Sequence, residues 1–309
     1  MANYLEEYVQ INGIEQYFLH LPRDSKNVVI IMLHGGPGLA NSYLGYFAEP
    51  YTDFCNMVFY DQRGSGKTQI KNKSTTESLS LNNLLQDLKE TISYVKRKYK
   101  TDKIFLAGHS WGSMLGTEYV LTYPNDVAGY IGYGQGVPSK EQDRHYYEFV
   151  KSAVMKAGNK EHIDTINKVS ENFPNIPREH YFSQYNIVAG IGFGCGYDFT
   201  VGDVFAIYAN SPTWTAEDEA VSEIVEKLNE KLYTEILYDW KVETFVYDVP
   251  IYYILGRNDE MTASSIAAGY FEKIKAPKKR LYWIEDAGHL IDTDNPEAFF
   301  SAIKEILEA

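Results

Sequence analysis

Two rhythms of apolar and polar residues alternate along this chain. Tyr8–Ile11 and Ile14–Leu19 flank Asn12-Gly13, a pair suited to a two-residue hairpin turn. Val28-Val29-Ile30-Ile31-Met32-Leu33 is apolar without interruption, as expected of a strand buried on both faces. Met57–Tyr60, Ile104–Ala107 and Tyr130–Tyr133 are further short apolar runs. Between them Leu81, Leu84, Leu85, Leu88, Ile92 and Val95 recur at helical spacing, with Ser78 or Ser80 placed to cap the helix. A second helical stretch, Ser113–Leu121, stops near Tyr123-Pro124. The alternation returns late in the chain, where Ile251–Leu255 and Leu281–Ile284 read as strands. Asn295-Pro296-Glu297 then opens a last helix with a cap, a proline at the first helical position and an acid. This alternation predicts a mostly parallel sheet with helices on both faces.

From Gly134 to Val246 the rhythm changes. The stretch reads as mainly helical and is rich in Tyr and Phe. It separates two runs of sheet strands, which predicts a helical cap over residues 134–246 inserted into a domain made of residues 1–133 and 247–309. Within the cap Tyr181, Phe182, Tyr185, Phe193, Tyr197, Phe199, Phe205, Tyr208 and Trp214 suit either an apolar pocket or the cap's own core.

Composition narrows the class. The 309 residues are 44% hydrophobic and 23% charged, which is a globular balance. A net charge of −13 disfavours nucleic acid and anionic membranes as partners. The cysteines, Cys55 and Cys195, are too few for a disulfide framework. The N-terminal residues lack a basic segment and an apolar core, and no apolar run approaches the length of a membrane span, so a cytoplasmic location is expected. His145, His162 and His180 are too widely spaced for a metal site, and no dinucleotide fingerprint is present. No metal and no cofactor are expected.

The chemistry begins at Gly108-His109-Ser110-Trp111-Gly112, between the strand Ile104–Ala107 and a helix. This is a G-x-S-x-G nucleophile elbow in its proper strand–turn–helix setting. The glycines admit a tight turn that lifts Ser110 above the sheet at a helix N-terminus. A serine nucleophile needs a base and an acid that orients it. His289 follows the strand Leu281–Ile284. Asp259, with Glu260 beside it as a competitor and Asp286 a more distant one, follows Ile251–Leu255. Both sit past strand ends, where open α/β sheets place their sites. His34-Gly35-Gly36-Pro37-Gly38 follows the first buried strand. With the amide after the serine, it assigns an oxyanion hole to Gly36 and Trp111. Asp61-Gln62-Arg63-Gly64-Ser65-Gly66-Lys67-Thr68 ends like a phosphate-binding loop, but that motif needs a glycine where Asp61 stands.

Together, His34–Gly38, Asp61–Gly66 and Gly108–Ser113 resemble the proline iminopeptidase family of α/β-hydrolase serine peptidases, and Asp259 and Gly288-His289 match its acid and histidine positions. The resemblance covers roughly residues 1–133 and 247–309. It implies the α/β-hydrolase fold, with release of an N-terminal residue, often proline, from small peptides through an acyl-enzyme. It also implies the same oxyanion roles for Gly36 and Trp111. Glu260 matches a position that binds the substrate amine in some relatives. The cap departs from the pattern. The Trp-Glu segment of many relatives is missing, and its nearest counterpart, Tyr146-Tyr147-Glu148, has no tryptophan. A carboxylesterase or lactonase acting on small acyl groups would use the same triad.

The cap carries 18 Asp and Glu against 10 Lys and Arg, a balance that would attract an ammonium group. Glu217, Asp218 and Glu219 follow Thr215 at a helix start and are expected to form a solvated, dipole-favouring face. Asp198, Asp203 and Glu260 have no such local explanation.

Overall fold

The computed structural model describes residues 4–23, 27–73, 79–193, 204–220 and 222–309. Its centre is an eight-stranded sheet: β1 (Leu5–Ile11), β2 (Ile14–Leu21), β3 (Val29–Leu33), β4 (Asn56–Tyr60), β5 (Ile104–His109), β6 (Gly129–Tyr133), β7 (Ile251–Gly256) and β8 (Lys279–Ile284). The spatial order is β1-β2-β4-β3-β5-β6-β7-β8. The first two strands run antiparallel to their neighbours, and β4 through β8 pair in parallel. The hairpin turns at Asn12-Gly13, with Ile11 opposite Ile14. Every residue of β3 and of β4 is buried, as continuous apolar runs require when helices cover both faces.

Helices occupy the expected places. The amphipathic pattern becomes Leu81–Tyr99, whose cap is Ser80: its side chain accepts from the Asn83 amide. Ser78, the other candidate, lies outside the described residues. Trp111–Thr122 follows β5, and Pro296–Glu308 closes the chain with the Asn295 side chain accepting from the Ala298 amide. The α/β-hydrolase fold class expected from the sequence is the one observed.

Between β6 and β7 the described elements are helices, including Lys140–Ala157, Lys160–Ile166, Arg178–Gly192, Ala216–Ala220 and Ser222–Leu237. Tyr146, Tyr147, Val150, Phe173, Tyr181 and Val188 form a core of their own there. The later part of this segment instead packs onto the sheet domain. The Asn229 amide donates to Gly64 O at 3.1 Å. Asp218 departs from the solvated face expected of it. It is 5% exposed, because its carboxylate accepts from Tyr43 Oη (2.5 Å) and from the Thr215 amide (2.7 Å) and pairs with Lys67 (3.4 Å). Lys67 thus spends its charge on the cap, as well as lying over the Tyr17 and Tyr43 rings. Among the described residues no helix is long and apolar enough to cross a membrane.

Candidate active site

The parallel strands end on one side of the sheet, and the residues singled out from the sequence lie in the loops just beyond them. Ser110 joins β5 to its helix with φ 51° and ψ −119°, a backbone conformation that costs a non-glycine residue about 1–3 kcal/mol. The neighbouring glycines hold it there. A Cβ on Gly108 would lie 2.3 Å from Gly112 O, and one on Gly112 would lie 2.3 Å from Leu33 O. The Ser110 amide donates to Tyr133 O and Gly134 O, both at 3.2 Å, which pins the turn to the end of β6.

His289 is 3% exposed and Asp259 is equally buried. His289 Nδ1 lies 3.0 Å from Asp259 Oδ2, which places the proton on Nδ1 and leaves Nε2 as the basic nitrogen. Asp259 also accepts from the Thr262 amide (3.0 Å) and hydroxyl (2.8 Å). Burial would raise the Asp259 carboxyl, but His289 and the Thr262 hydrogen bonds outweigh it and hold the group below its ordinary range. Thr262 escaped sequence reasoning. Its signal is a local turn, in which an Asp side chain receives a backbone amide from a few residues on.

Ser110 and His289 line one cavity of about 180 Å³ with Gly35, Gly36, Tyr185, Phe193 and Tyr208. Two further groups on its wall were not anticipated. Asn41 is 4% exposed and its Oδ1 has no hydrogen-bond partner. Asp292 is pushed by burial up to about 6. A narrow crevice on another side of Ser110 is bounded by Gly36, Trp111, Thr262 and Asp143, and burial raises Asp143 to about 7. Glu260 is not among the residues lining either space. It pairs with His145 at 2.5 Å. The aromatic residues of the cap divide. Tyr185, Phe193 and Tyr208 face the cavity, Trp214 lines an adjoining one, and Tyr181 is in the cap core. Tyr197, Phe199, Asp198, Asp203 and Cys195 lie outside the described residues.

Gly36 takes φ +106°, in the region that favours glycine. Trp111 supplies the first amide of its helix, which has no acceptor within the helix. Both residues border the crevice beside Ser110. Two more imidazoles belong to the loops that meet at the elbow. His109 lines the cavity, partly buried, 2.9 Å from His289 O, and burial lowers it to about 3. Burial lowers His34 to about 4. Among the described residues no group of three or more His, Cys, Asp or Glu is placed to hold a metal ion.

Asp61, where a phosphate-binding loop has glycine, is wholly buried and accepts from the Lys67 amide at 2.8 Å. Burial raises it to about 7. A carboxyl whose folded pKa exceeds its unfolded one destabilises progressively as pH rises from about 4 to about 7. Asp61→Asn removes that dependence. Its stability relative to wild type is expected to rise by about 2 kcal/mol between pH 5 and pH 8, as read from urea unfolding at each pH.

The family model described as the alpha/beta hydrolase fold matches residues 28–296. A probable aminopeptidase, YbaC of Bacillus subtilis, is 24% identical over 96% of this chain and 92% of its own length. A proline iminopeptidase of Saccharolobus solfataricus is 26% identical over 99% and 93%. Among solved structures, the proline iminopeptidase of Mycobacterium smegmatis superposes with a TM-score of 0.65 at 17% identity over 98% of each chain. An epoxide hydrolase of Bacillus megaterium does so with 0.62 at 16%, over 98% of this chain and 100% of its own. At those identities the two structures share a fold with this chain and nothing narrower.

Proposed function

The chain belongs to the alpha/beta hydrolase fold family, and on that premise we propose that it is a serine hydrolase releasing the N-terminal residue of small peptides through an acyl-enzyme. The observation that carries this reading is Ser110 on its strained elbow, sharing a cavity with a His289 whose Nδ1 is bound to Asp259. In the proposed reaction His289 Nε2 takes the proton as Ser110 Oγ attacks the first peptide carbonyl. The oxyanion rests on the Gly36 and Trp111 amides. His289 then protonates the leaving amine, and water releases the acyl residue by the same route. No metal or cofactor enters the scheme.

The aminopeptidase assignment draws on the named relatives and on the charge of the site. Asp292 on the cavity wall, with the unpartnered Asn41 Oδ1, would receive the substrate ammonium, the role the sequence suggested for Glu260. A second reading, an esterase or lactonase, draws on the apolar wall formed by Leu39, Leu44, Phe193 and Leu290. Steady-state hydrolysis of proline, alanine and phenylalanine arylamides separates the two. Free-amine arylamides are expected to be cleaved, and acetylation of the amine to lower kcat/KM by at least about a hundredfold. Cleavage of short acyl esters alone, indifferent to the amine, would overturn the peptidase assignment and leave the esterase.

A further inference from the structure

The segment Asp61–Lys67 has no part in the acyl transfer just described, yet through Gln62 it is bonded to Trp111 and to His34, which opens the loop carrying Gly36. Gly36 stands in the loop after β3, and Trp111 opens the helix after β5. The two strands are paired as far as Leu33 and Gly108. Beyond that pair the sheet ladder no longer sets the distance between the loops. Gln62, in the loop after β4, spans them. Its backbone amide donates to His34 Nε2 at 3.1 Å, and its side-chain Nε2 donates to His34 O at 3.3 Å. Its Oε1 accepts the Trp111 indole N–H at 2.9 Å.

The bonding demands an amide at this position. One end must donate to a carbonyl and the other must accept from an indole. His34 completes the pattern as a neutral ring: Nε2 receives the Gln62 amide, so the ring proton sits on Nδ1 and is donated to Gly35 O at 2.9 Å. The loop carrying Gln62 is itself fixed. Ser65 Oγ donates to Gln62 O at 2.6 Å, and Arg63 holds Asp87 through two nitrogens at 2.8 and 3.0 Å. Gln62 and Trp111 are each 2% exposed, so bulk water has no ready access to replace these bonds.

We propose that Gln62 is a positioning residue that sets the spacing of the two oxyanion-hole amides by clamping the His34–Gly36 loop to Trp111. The proposal rests on the serine acyl-transfer reading and is independent of whether the substrate is a peptide or an ester. A hydrogen-bond donor displaced from the developing oxyanion loses transition-state stabilisation while ground-state binding is largely retained. The clamp should therefore be felt in kcat.

The test compares wild type, Gln62→Leu, Gln62→Glu, Trp111→Phe and the Gln62→Leu/Trp111→Phe double variant. The readouts are kcat and KM on the best arylamide or p-nitrophenyl ester, inhibition by a boronic acid that forms a tetrahedral adduct with Ser110, and melting temperature. Gln62→Leu is expected to lose roughly thirtyfold to a hundredfold in kcat, with KM within about threefold. Its boronic-acid affinity should fall by the same factor as kcat/KM. Trp111→Phe keeps its backbone amide but loses the indole donor, and is expected to lose about tenfold in kcat. The double variant should be no worse than Gln62→Leu alone, because both changes break one connection. Gln62→Glu, which still accepts from the indole, should fall between wild type and Gln62→Leu. A lower melting temperature with kcat and boronic-acid affinity unmoved would overturn the proposal, as would losses confined to KM or fully additive losses. Should Gln62→Leu fail to fold, the boronic-acid affinity of Trp111→Phe decides alone. A wild type that neither hydrolyses any substrate nor takes up a fluorophosphonate would overturn the serine-hydrolase reading itself. An active wild type with unmoved variants would overturn only the clamp.

Discussion

Replacing Ser110 by alanine is expected to lower kcat by roughly a millionfold and to abolish labelling by a fluorophosphonate, with the fold intact. The elbow survives because the close approaches at Gly108 and Gly112, and the Ser110 amide bonds to Tyr133 O and Gly134 O, do not involve the hydroxyl. Ser110→Gly separates chemistry from strain. It should be as inactive as the alanine variant yet more stable than wild type by about 1 kcal/mol, because glycine adopts φ 51° without penalty. The checks are single-turnover kinetics and urea unfolding. A Ser110→Ala protein that kept more than about a hundredth of wild-type turnover would refute the assignment of the nucleophile.

The second large effect concerns a residue with no reacting group. Gly112→Ala would put a methyl 2.3 Å from Leu33 O and 2.7 Å from His34 O. These are backbone atoms at the end of β3, a central strand held by β4 and β5 on its two sides, so the clash cannot be relieved by turning a side chain. Overpacking of this kind costs about 3 kcal/mol or more. What relief there is must come from moving the loop that carries Gly36. The variant should therefore lose stability and, in the molecules that fold, at least about a hundredfold in kcat/KM. Thermal melting and active-site-titrated kinetics distinguish the two losses. Normal kinetics with a lowered melting temperature would mean that the Gly36 loop is not coupled to the elbow.

Local chemistry explains what could be read in advance. Burial on both faces makes a central strand an unbroken apolar run, so β3, β5 and β7 were visible to within a residue or two. The close approach at the elbow admits only glycine, so Gly108 and Gly112 announced the turn around Ser110. His289 and Asp259 follow strand ends, and the structure places them in hydrogen-bond contact. What escaped notice depends on distant partners. Asp218 resembles any acid in a first helical turn until Tyr43 and Lys67 close over it, from residues about 150 or more positions away. Glu260 neighbours Asp259 in sequence, and its pairing with His145, 115 positions away, is of the same long-range kind. Asn41 and Asp292 meet in a cavity wall that exists only after folding. Gln62 lay within a noted block whose resemblance to a nucleotide loop directed attention to its lysine and glycines.

The three imidazoles around the nucleophile carry one more implication. His34 and His109 stand in the loops that meet at the elbow and are held by burial at about 4 and about 3. Near neutral pH both are uncharged, so any imidazolium formed on His289 during turnover would have no like-charged ring beside it. His109, whose ring centroid lies 4.8 Å from that of His289, would oppose that charge if it titrated normally. By holding these two histidines neutral, the fold keeps proton traffic in this pocket to a single ring and turns the other two into permanent dipoles.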